Sequence, residues 1–517
     1  MRVVGIETEY GITDPRDPGA NPILLSSQLV DACRQWAGDA SARWDYGGED
    51  PLMDLRGSRR SRFDATEDML TDAHEYDDER GQVTLRRRRG SWEDPAHLNA
   101  VLANGARFYV DHAHPEYSGP EVSSARDAVV WDVAGDRIAR AAAEIFKAEG
   151  GSVALYKNNV DGKGASYGTH ENYLVSRSIG FDELARRLTP HLVSRQVIVG
   201  AGRVGIGAYG ELAGFQMSQR ADYMEAEVGL ETTLRRPIVN TRDEPHADRA
   251  RWRRLHIIIG DANSMEVPTY LKVGTTSLIL TAIEAEDDRL DALVLADPVA
   301  EVSAVSRDLT MRHRLSLASG ETGTALDMQR ALLTIARDHV ADAEDASVIA
   351  TWESVLEALG REPFSASKDV EWVAKLQLMG RMRDRYGSID AGGARVPAAW
   401  DDDRLKAADV QWSEVGVGLA CRLAAAGAVT RLTTDDEVES AMSLPPRTTR
   451  AWLRGRMVAA RPDIVDAAGW SSIVLDRETD HGHLEVVNLP NPMATTHAML
   501  DSLIDEIRPG AAGPRHD

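Results

Sequence analysis

The chain has 517 residues, 59 basic and 82 acidic, with a formal net charge of −23; this length predicts one large domain plus something smaller, and this charge excludes general nucleic-acid binding. Its two distant cysteines, Cys33 and Cys421, exclude a disulfide scaffold or a zinc knuckle and read as buried small apolar side chains. No apolar stretch reaches the ~18 residues of a membrane span, and the start, M-R-V-V-G-I-E-T-E-Y, is too acidic for a signal peptide, so a cytoplasmic protein is expected.

Residues 3–11 read as a strand with Val4, Ile6 and Tyr10 on one face and Glu7 and Glu9 on the other. A helix fits 25–36. From 47 to 97 the periodicity fails. That stretch is dense in Asp, Glu and Arg, including Arg86, Arg87, Arg88 and Arg89 in a row, and reads as a long charged loop. A strand follows at 106–112, and a helix over 124–148. Further strands are expected at 153–157, 170–176, 196–200, 214–219 and 254–260. A long helix fits 264–286, residues 323–386 read as mostly helical, and 404–427 turn from charged to apolar and helical. After a polar break at 433–437, the remaining residues suit a small α/β domain.

Four segments carry chemistry. Glu7 and Glu9, two apart on a strand, share a face; two buried carboxylates there are costly without a cation, and hard Mg²⁺ prefers such oxygens. The alternative is a solvated outer face of an edge strand. In N-G-A-R-F-Y-V-D-H-A-H-P-E-Y, residues 104–117, Arg107, Tyr109 and Asp111 share a face opposite Phe108 and Val110. They form either a structural Arg–Asp pair or the floor of a site, with Arg107 on phosphate oxygens, Asp111 as base or nucleophile and Glu116 folding back as a ligand. K-N-N-V-D-G-K-G-A-S-Y-G-T-H-E-N-Y, residues 157–173, resembles a phosphate- or metal-facing loop but is no Walker A or dinucleotide fingerprint. His170 and Asn172 share its strand face. The fourth runs from N-T-R-D-E-P-H-A-D, 240–248, into R-R-L-H-I-I-I-G-D-A-N, ending at Asn263. It sets Arg254 and His256 opposite Leu255, Ile257 and Ile259, as an anion-handling surface or a basic helix before a core strand.

Together with G-I-E-T-E-Y-G at the start and P-P-R-T-T-R-A-W-L-R-G at 445–455, these motifs resemble the Pup ligase/depupylase family, distant relatives of glutamine synthetase and glutamate–cysteine ligase. Within it, D-P-x-x-x-x-A-N-P-I-L-L-S-S-Q, D-H-A-H-P-E-Y-S-G-P-E and the long insertion resemble the hydrolase branch. The resemblance implies an α+β fold, a large domain (1–435) with a curved, mostly antiparallel sheet backed by helices, plus a small C-terminal α/β domain (436–517). It implies ATP and Mg²⁺ as cofactors. Glu7, Tyr109 and Glu116 match Mg²⁺ ligands. Arg107, the backbone around Gly119, and Trp470 match ATP contacts, and Asp111 matches the catalytic aspartate. Where relatives carry a threonine, this chain has Gly119, which leaves only a backbone contact. Glu9, His170, Arg242 and His256 are secondary candidates.

The implied activity is hydrolysis of the side-chain amide of Pup's C-terminal glutamine and of the isopeptide bond joining Pup to a lysine. The same residues would serve the reverse reaction, Pup–protein ligation. A nucleotide-bound adaptor with a dead site is disfavoured by Glu7, Arg107, Asp111 and Glu116 occurring together. The implied partners are Pup and pupylated proteins, met by a monomer; nucleic acid and membrane are not expected. Acidic Pup would need a basic groove, for which Arg203, Arg220, Arg235, Arg236, Arg249, Arg251 and Arg253 are candidates. The charged loop is expected to regulate access to the site and not to anchor Pup.

Overall fold

The computed structural model describes residues 2–61, 99–160, 166–207, 210–231, 235–477 and 484–506. Most of the charged loop expected at 47–97 lies outside these residues. Its first part, up to Arg60, is tied down by turns and by an Asp54–Arg242 bridge.

A twelve-stranded sheet organises the chain. Its strands in sequence are β1 (Val4–Glu9), β2 (Ser41–Trp44), β3 (Asn99–Leu102), β4 (Arg107–Asp111), β5 (His114–Ser118) and β6 (Thr169–Ser176). Then come β7 (Met224–Gly229), β8 (Arg236–Asn240), β9 (Trp252–Ile257), β10 (Val465–Ala468), β11 (Ser472–Leu475) and β12 (Glu485–Asn488). Their order across the sheet is β7-β8-β9-β6-β1-β5-β4-β3-β2-β10-β11-β12. The pairings are antiparallel except β7–β8 and β2–β10. The α+β architecture expected from the sequence is observed, and β1 lies at its centre.

Helices back one face. α1 (Pro22–Ala37) starts where Asn21 accepts from the N–H groups of Ile23 and Leu24, with Pro22 preset for the first turn. α2 (Ala125–Ala148) is capped by Ser124. α3 (Phe181–Ser194) and α5 (Glu266–Glu284) bury apolar faces with Val4, Ile6, Leu255 and Ile257 from the sheet. Helices Ala325–Arg337, Ala343–Arg361 and Glu371–Tyr386 occupy the stretch expected to be helical.

Three expectations are corrected. Residues 196–200 form a helical turn, α4 (Gln196–Val199), not a strand. A short apolar run has no period to distinguish the two. Here the backbone at Arg195 has helical angles, φ −65° and ψ −12°, so the chain continues from α3. The strand expected at 214–219 ends at Gln216, because Ser218, Gln219 and Arg220 turn in to donate to Asp261. Cys33 is buried, but Cys421 is exposed.

The residues after 435 do not make a separate sheet. Helix Asp435–Ser443 lays Val438 and Ala441 on Val130 and Ala134 of α2, and β10 joins the edge of β2. Among the described residues no helix is long and apolar enough to cross a membrane.

Behind β1 a polar network is buried. Thr8 Oγ1 donates to Asp132 (3.2 Å), Tyr10 Oη donates to Asp136 (2.8 Å), and Lys157 Nζ donates to Asp132 (2.8 Å) and Asp136 (3.1 Å). Burial, only partly offset by Lys157, pushes the Asp136 carboxyl up to about 6. Removing the ammonium strands two carboxylates. Lys157→Ala is therefore expected to cost about 3–5 kcal/mol, read as a lower denaturant midpoint; an unchanged midpoint would show that the network does not hold β1.

Candidate active site

The face of β1 away from the helices carries the carboxylates. Strand alternation sends Val4, Ile6 and Thr8 inward and leaves Glu7 and Glu9 on the other side. The register then separates the two. Glu9 lies opposite Glu116 of β5, which lies opposite Tyr109 of β4. Glu7 lies opposite Ser118 on one side and His170 of β6 on the other. The tight β4–β5 turn, with His112 at φ 53°, brings Asp111 beside this group.

Two clusters result, each with ligating atoms within 4.8 Å of one another. One is Glu9, Asp111 and Glu116. Tyr109 Oη (2.6 Å) and Ser118 Oγ (3.2 Å) both donate to Glu116 Oε1. Burial and the neighbouring carboxylates Asp111, Glu7 and Glu9 push the Glu116 carboxyl well above its ordinary range. Asp111 moves the opposite way. Burial opposes ionisation, but the hydrogen bond to His112 (2.7 Å) and nearby His170 and Arg242 hold it below the usual carboxylate range. Two neighbouring carboxylates pushed apart in this way are a common arrangement for acid and base roles.

The other cluster is Glu7, His170 and His256. Burial works against the Glu7 anion. His170 Nδ1 at 3.5 Å and the Arg254 guanidinium at 3.7 Å outweigh it and lower the Glu7 carboxyl. Burial and Arg254 push His256 well below the ordinary imidazole range. Asn172 ties the group together: it donates to Glu7 (3.0 Å), and its carbonyl oxygen meets Arg254 (3.1 Å) and His256 Nδ1 (2.9 Å).

Arg107 is caged. Its guanidinium lies 4.2 Å from the Trp44 ring centroid and 3.8 Å from that of Tyr109, and its Nε donates to Asn99 Oδ1 (2.7 Å). Such stacking fixes a cation's direction. Trp44 also meets Trp470 edge to face, centroids 5.1 Å apart, and Arg454 sits 5.0 Å from the Trp470 ring.

Beside Trp470 an open cleft of about 560 Å³ is lined by Gly5, Glu7, Gly119, His246, Arg450 and Trp470, among others. The Gly119 N–H donates to the Ile6 carbonyl (2.9 Å), and a Cβ there would lie 3.3 Å from that same oxygen. Only its carbonyl is left for a ligand. Glu121 is buried between Arg450 and Arg454, accepting from Arg450 Nε at 2.8 Å.

The structure thus draws Glu9 into the Asp111–Glu116 group and places Glu7 with His170 and His256. Trp470 and Gly119 share the cleft, and Arg107 reaches it through Trp44. Arg242 sits at the rim, 3.8 Å from Glu244. Trp44, Asn99, Glu121 and Arg450 were missed in sequence. Arg450 and Glu121 had a signal, lying in P-P-R-T-T-R and at the end of D-H-A-H-P-E-Y-S-G-P-E. Of the arginines expected in a basic groove, Arg220, Arg236 and Arg253 are buried and cannot form its surface.

The family model described as Pup-ligase protein matches residues 2–474. The chain belongs to this family. It is 46% identical to the Pup deamidase/depupylase of Mycolicibacterium smegmatis, over 98% of this chain and 97% of that protein. The Pup ligase family also supplies the structural likeness. The complex of Pup with its ligase PafA matches with TM-score 0.76 at 30% identity, over 98% of this chain and 92% of the ligase. PafA in complex with ADP matches with TM-score 0.70 at 35% identity, over 79% and 89%.

Glu121 offers a direct check on how the cleft wall is held. Burial raises its carboxyl, but Arg454 and Arg450 overcome this and bring it down to about 2. The folded value lies below the unfolded one, so its stabilisation is present above about pH 4.5 and is lost as pH falls towards 2. Glu121→Gln is expected to cost about 3 kcal/mol at pH 7, and the gap from wild type should narrow steadily from pH 5 to pH 2. A pH-independent gap in the unfolding midpoints would show that the ion pairs contribute nothing.

Proposed function

We propose that this chain hydrolyses the side-chain amide of the C-terminal glutamine of Pup and the isopeptide bond that joins Pup to a lysine of a modified protein. It does so in the cytoplasm, as a monomer, with ATP and Mg²⁺ bound. The observation that carries the reading is the 46% identity, end to end, to a Pup deamidase/depupylase. The ligase PafA is 30–35% identical, so the reverse reaction has less support.

In this reading the nucleotide lies in the cleft beside Trp470, meeting the Gly119 carbonyl and, towards its phosphates, Arg107. The cation ligands are Glu7, Tyr109 and Glu116, with Glu9 added as the carboxylate facing Glu116. The donors fit Mg²⁺: they are hard oxygens, and Glu9, Asp111 and Glu116 bring carboxylate oxygens within 4.8 Å of one another. When bound, Mg²⁺ supplies positive charge that polarises the substrate carbonyl. The protein's own residues do the rest. Asp111, held ionised, presents an anionic oxygen to the γ-carbonyl, as nucleophile or as base for water. The backbone ladder keeps Asp111 and Glu116 on adjacent strands, so the site is preformed. The same division into a cleft-bearing large part and a small C-terminal part, 1–435 and 436–517, is retained as a functional one: the small part contributes Trp470.

Two experiments test this. Asp111→Asn should abolish release of free Pup from a pupylated protein while nucleotide affinity stays within about twofold; parallel loss of both would move Asp111 to a binding role. Binding of Mg²⁺ should expel a proton, because burial and the neighbouring carboxylates raise the Glu116 carboxyl and it must be ionised to act as a ligand. Titration calorimetry in two buffers of different ionisation enthalpy measures this, and equal heats in both would exclude Glu116 as the proton source. Glu116→Gln should remove the buffer dependence.

A further inference from the structure

Cleavage of an amide releases an amine that must take up a proton, and none of the roles assigned above supplies it. Asp111 is needed as an anion, Tyr109 already donates to Glu116, and burial pushes His256 well below the imidazole range. His112 stands next to Asp111, at the tip of the β4–β5 hairpin.

Two residues, His112 and Ala113, separate the paired Asp111 and His114. His112 takes φ 53°. That left-handed backbone costs a residue with a side chain about 1–2 kcal/mol, and tight hairpin turns ordinarily place glycine or asparagine in it. The turn is also held from outside, where Ser26 Oγ of α1 donates to the Ala113 carbonyl (2.9 Å). Backbone strain of this kind collects where a side chain has work at a site. The His112 side chain is turned back on the site, with Nδ1 2.7 Å from Asp111 Oδ2.

Exposure sets this pair apart from the rest of the site. The His112 side chain is 42% exposed and that of Asp111 27%, against 14% for His170 and 16% for Glu7. The hairpin tip is therefore the solvent side of the carboxylate cluster. A leaving amine that belongs to the lysine of a folded protein is too bulky to pass between strands, so it departs on this side.

We infer that His112 is the general acid that protonates the departing amine. The inference rests on the function proposed above and adds a catalytic residue to it. Nδ1–H remains on Asp111, and Nε2–H serves the leaving nitrogen. A carboxylate at hydrogen-bond distance favours the protonated ring. As the bond between the γ-carbonyl carbon and nitrogen breaks, its electron pair passes to nitrogen. The nitrogen takes the Nε2 proton and leaves as ammonia or as the lysine amine. One water is consumed: its hydroxide joins the carbonyl carbon and its proton restores the ring, passing through Asp111 where Asp111 acts as the base.

The test compares two leaving groups on the terminal γ-carboxyl of Pup under single turnover. One is the strongly basic ε-amine of lysine, and the other is an aminocoumarin, an aryl amine so weakly basic that it departs without prior protonation. The variant is His112→Asn, whose amide keeps a donor for Asp111 and whose backbone tolerates positive φ. It should lower the rate for the lysine substrate about 100-fold more than for the aryl amide. Equal losses would make His112 a positioning residue for Asp111 alone, and no loss with lysine would place the proton elsewhere; either result overturns the inference. A measurement on wild type needs no variant to fold: the solvent deuterium isotope effect should be larger for lysine than for the aryl amide, and equal effects overturn the inference. Release of neither amine by wild type overturns the proposed function instead.

Discussion

The structure is governed by the repulsion among Glu7, Glu9, Asp111 and Glu116, four carboxylates on three neighbouring strands. In water they would move apart. Here the ladder fixes their backbones, and the opposite side of β1 is bound to α2 through Thr8, Tyr10 and the Lys157 network. Burial and that repulsion raise the Glu116 carboxyl, while His112, His170 and Arg242 overcome burial to lower that of Asp111. The repulsion also explains the arginines that ring the site. Arg254 compensates Glu7 directly, while Arg107 is held between the Trp44 and Tyr109 rings with Glu49 at 3.8 Å.

The caging of Arg107 links two distant parts of the chain. Its lower ring is Tyr109, which bonds to Glu116; its upper ring is Trp44, which meets Trp470. Trp470 in turn lies against Arg454, which is paired with Glu121 two residues beyond Gly119. The cleft wall and the carboxylate cluster are thus connected through packed side chains and ion pairs. A rigid path of this kind keeps a site in register at little cost in ordering.

Much of this was legible in the sequence because the strands at its centre alternate cleanly. The i, i+2 spacing put Glu7 and Glu9 on one face, and the Arg107–Tyr109–Asp111 stripe appeared as such. Register was not legible. Nothing local in G-I-E-T-E-Y states that Glu9 faces Glu116 while Glu7 faces His170, and that offset is what divides the site in two. The roles of Trp44 and of Glu121, which ends a quoted motif, were not legible for a related reason: their partners are far along the chain. The misread helical turn at Gln196–Val199 is a different failure, since four buried apolar residues carry no period. The arginines were recognised as a basic set, but sequence gives no burial, so Arg220 and Arg236 looked like surface.

The parallel pairing of β10 with β2 has a consequence for how the chain is made. Until residue 465 is synthesised, β2 is an open strand edge with unpaired backbone groups. β3 is complete at residue 102. At about 5–20 residues per second the ribosome needs roughly 20–70 s to cover the intervening stretch. Throughout that interval the nascent sheet presents a template on which another chain can pair. A helper that shields this edge during translation would therefore matter more to yield than one that acts on the finished protein.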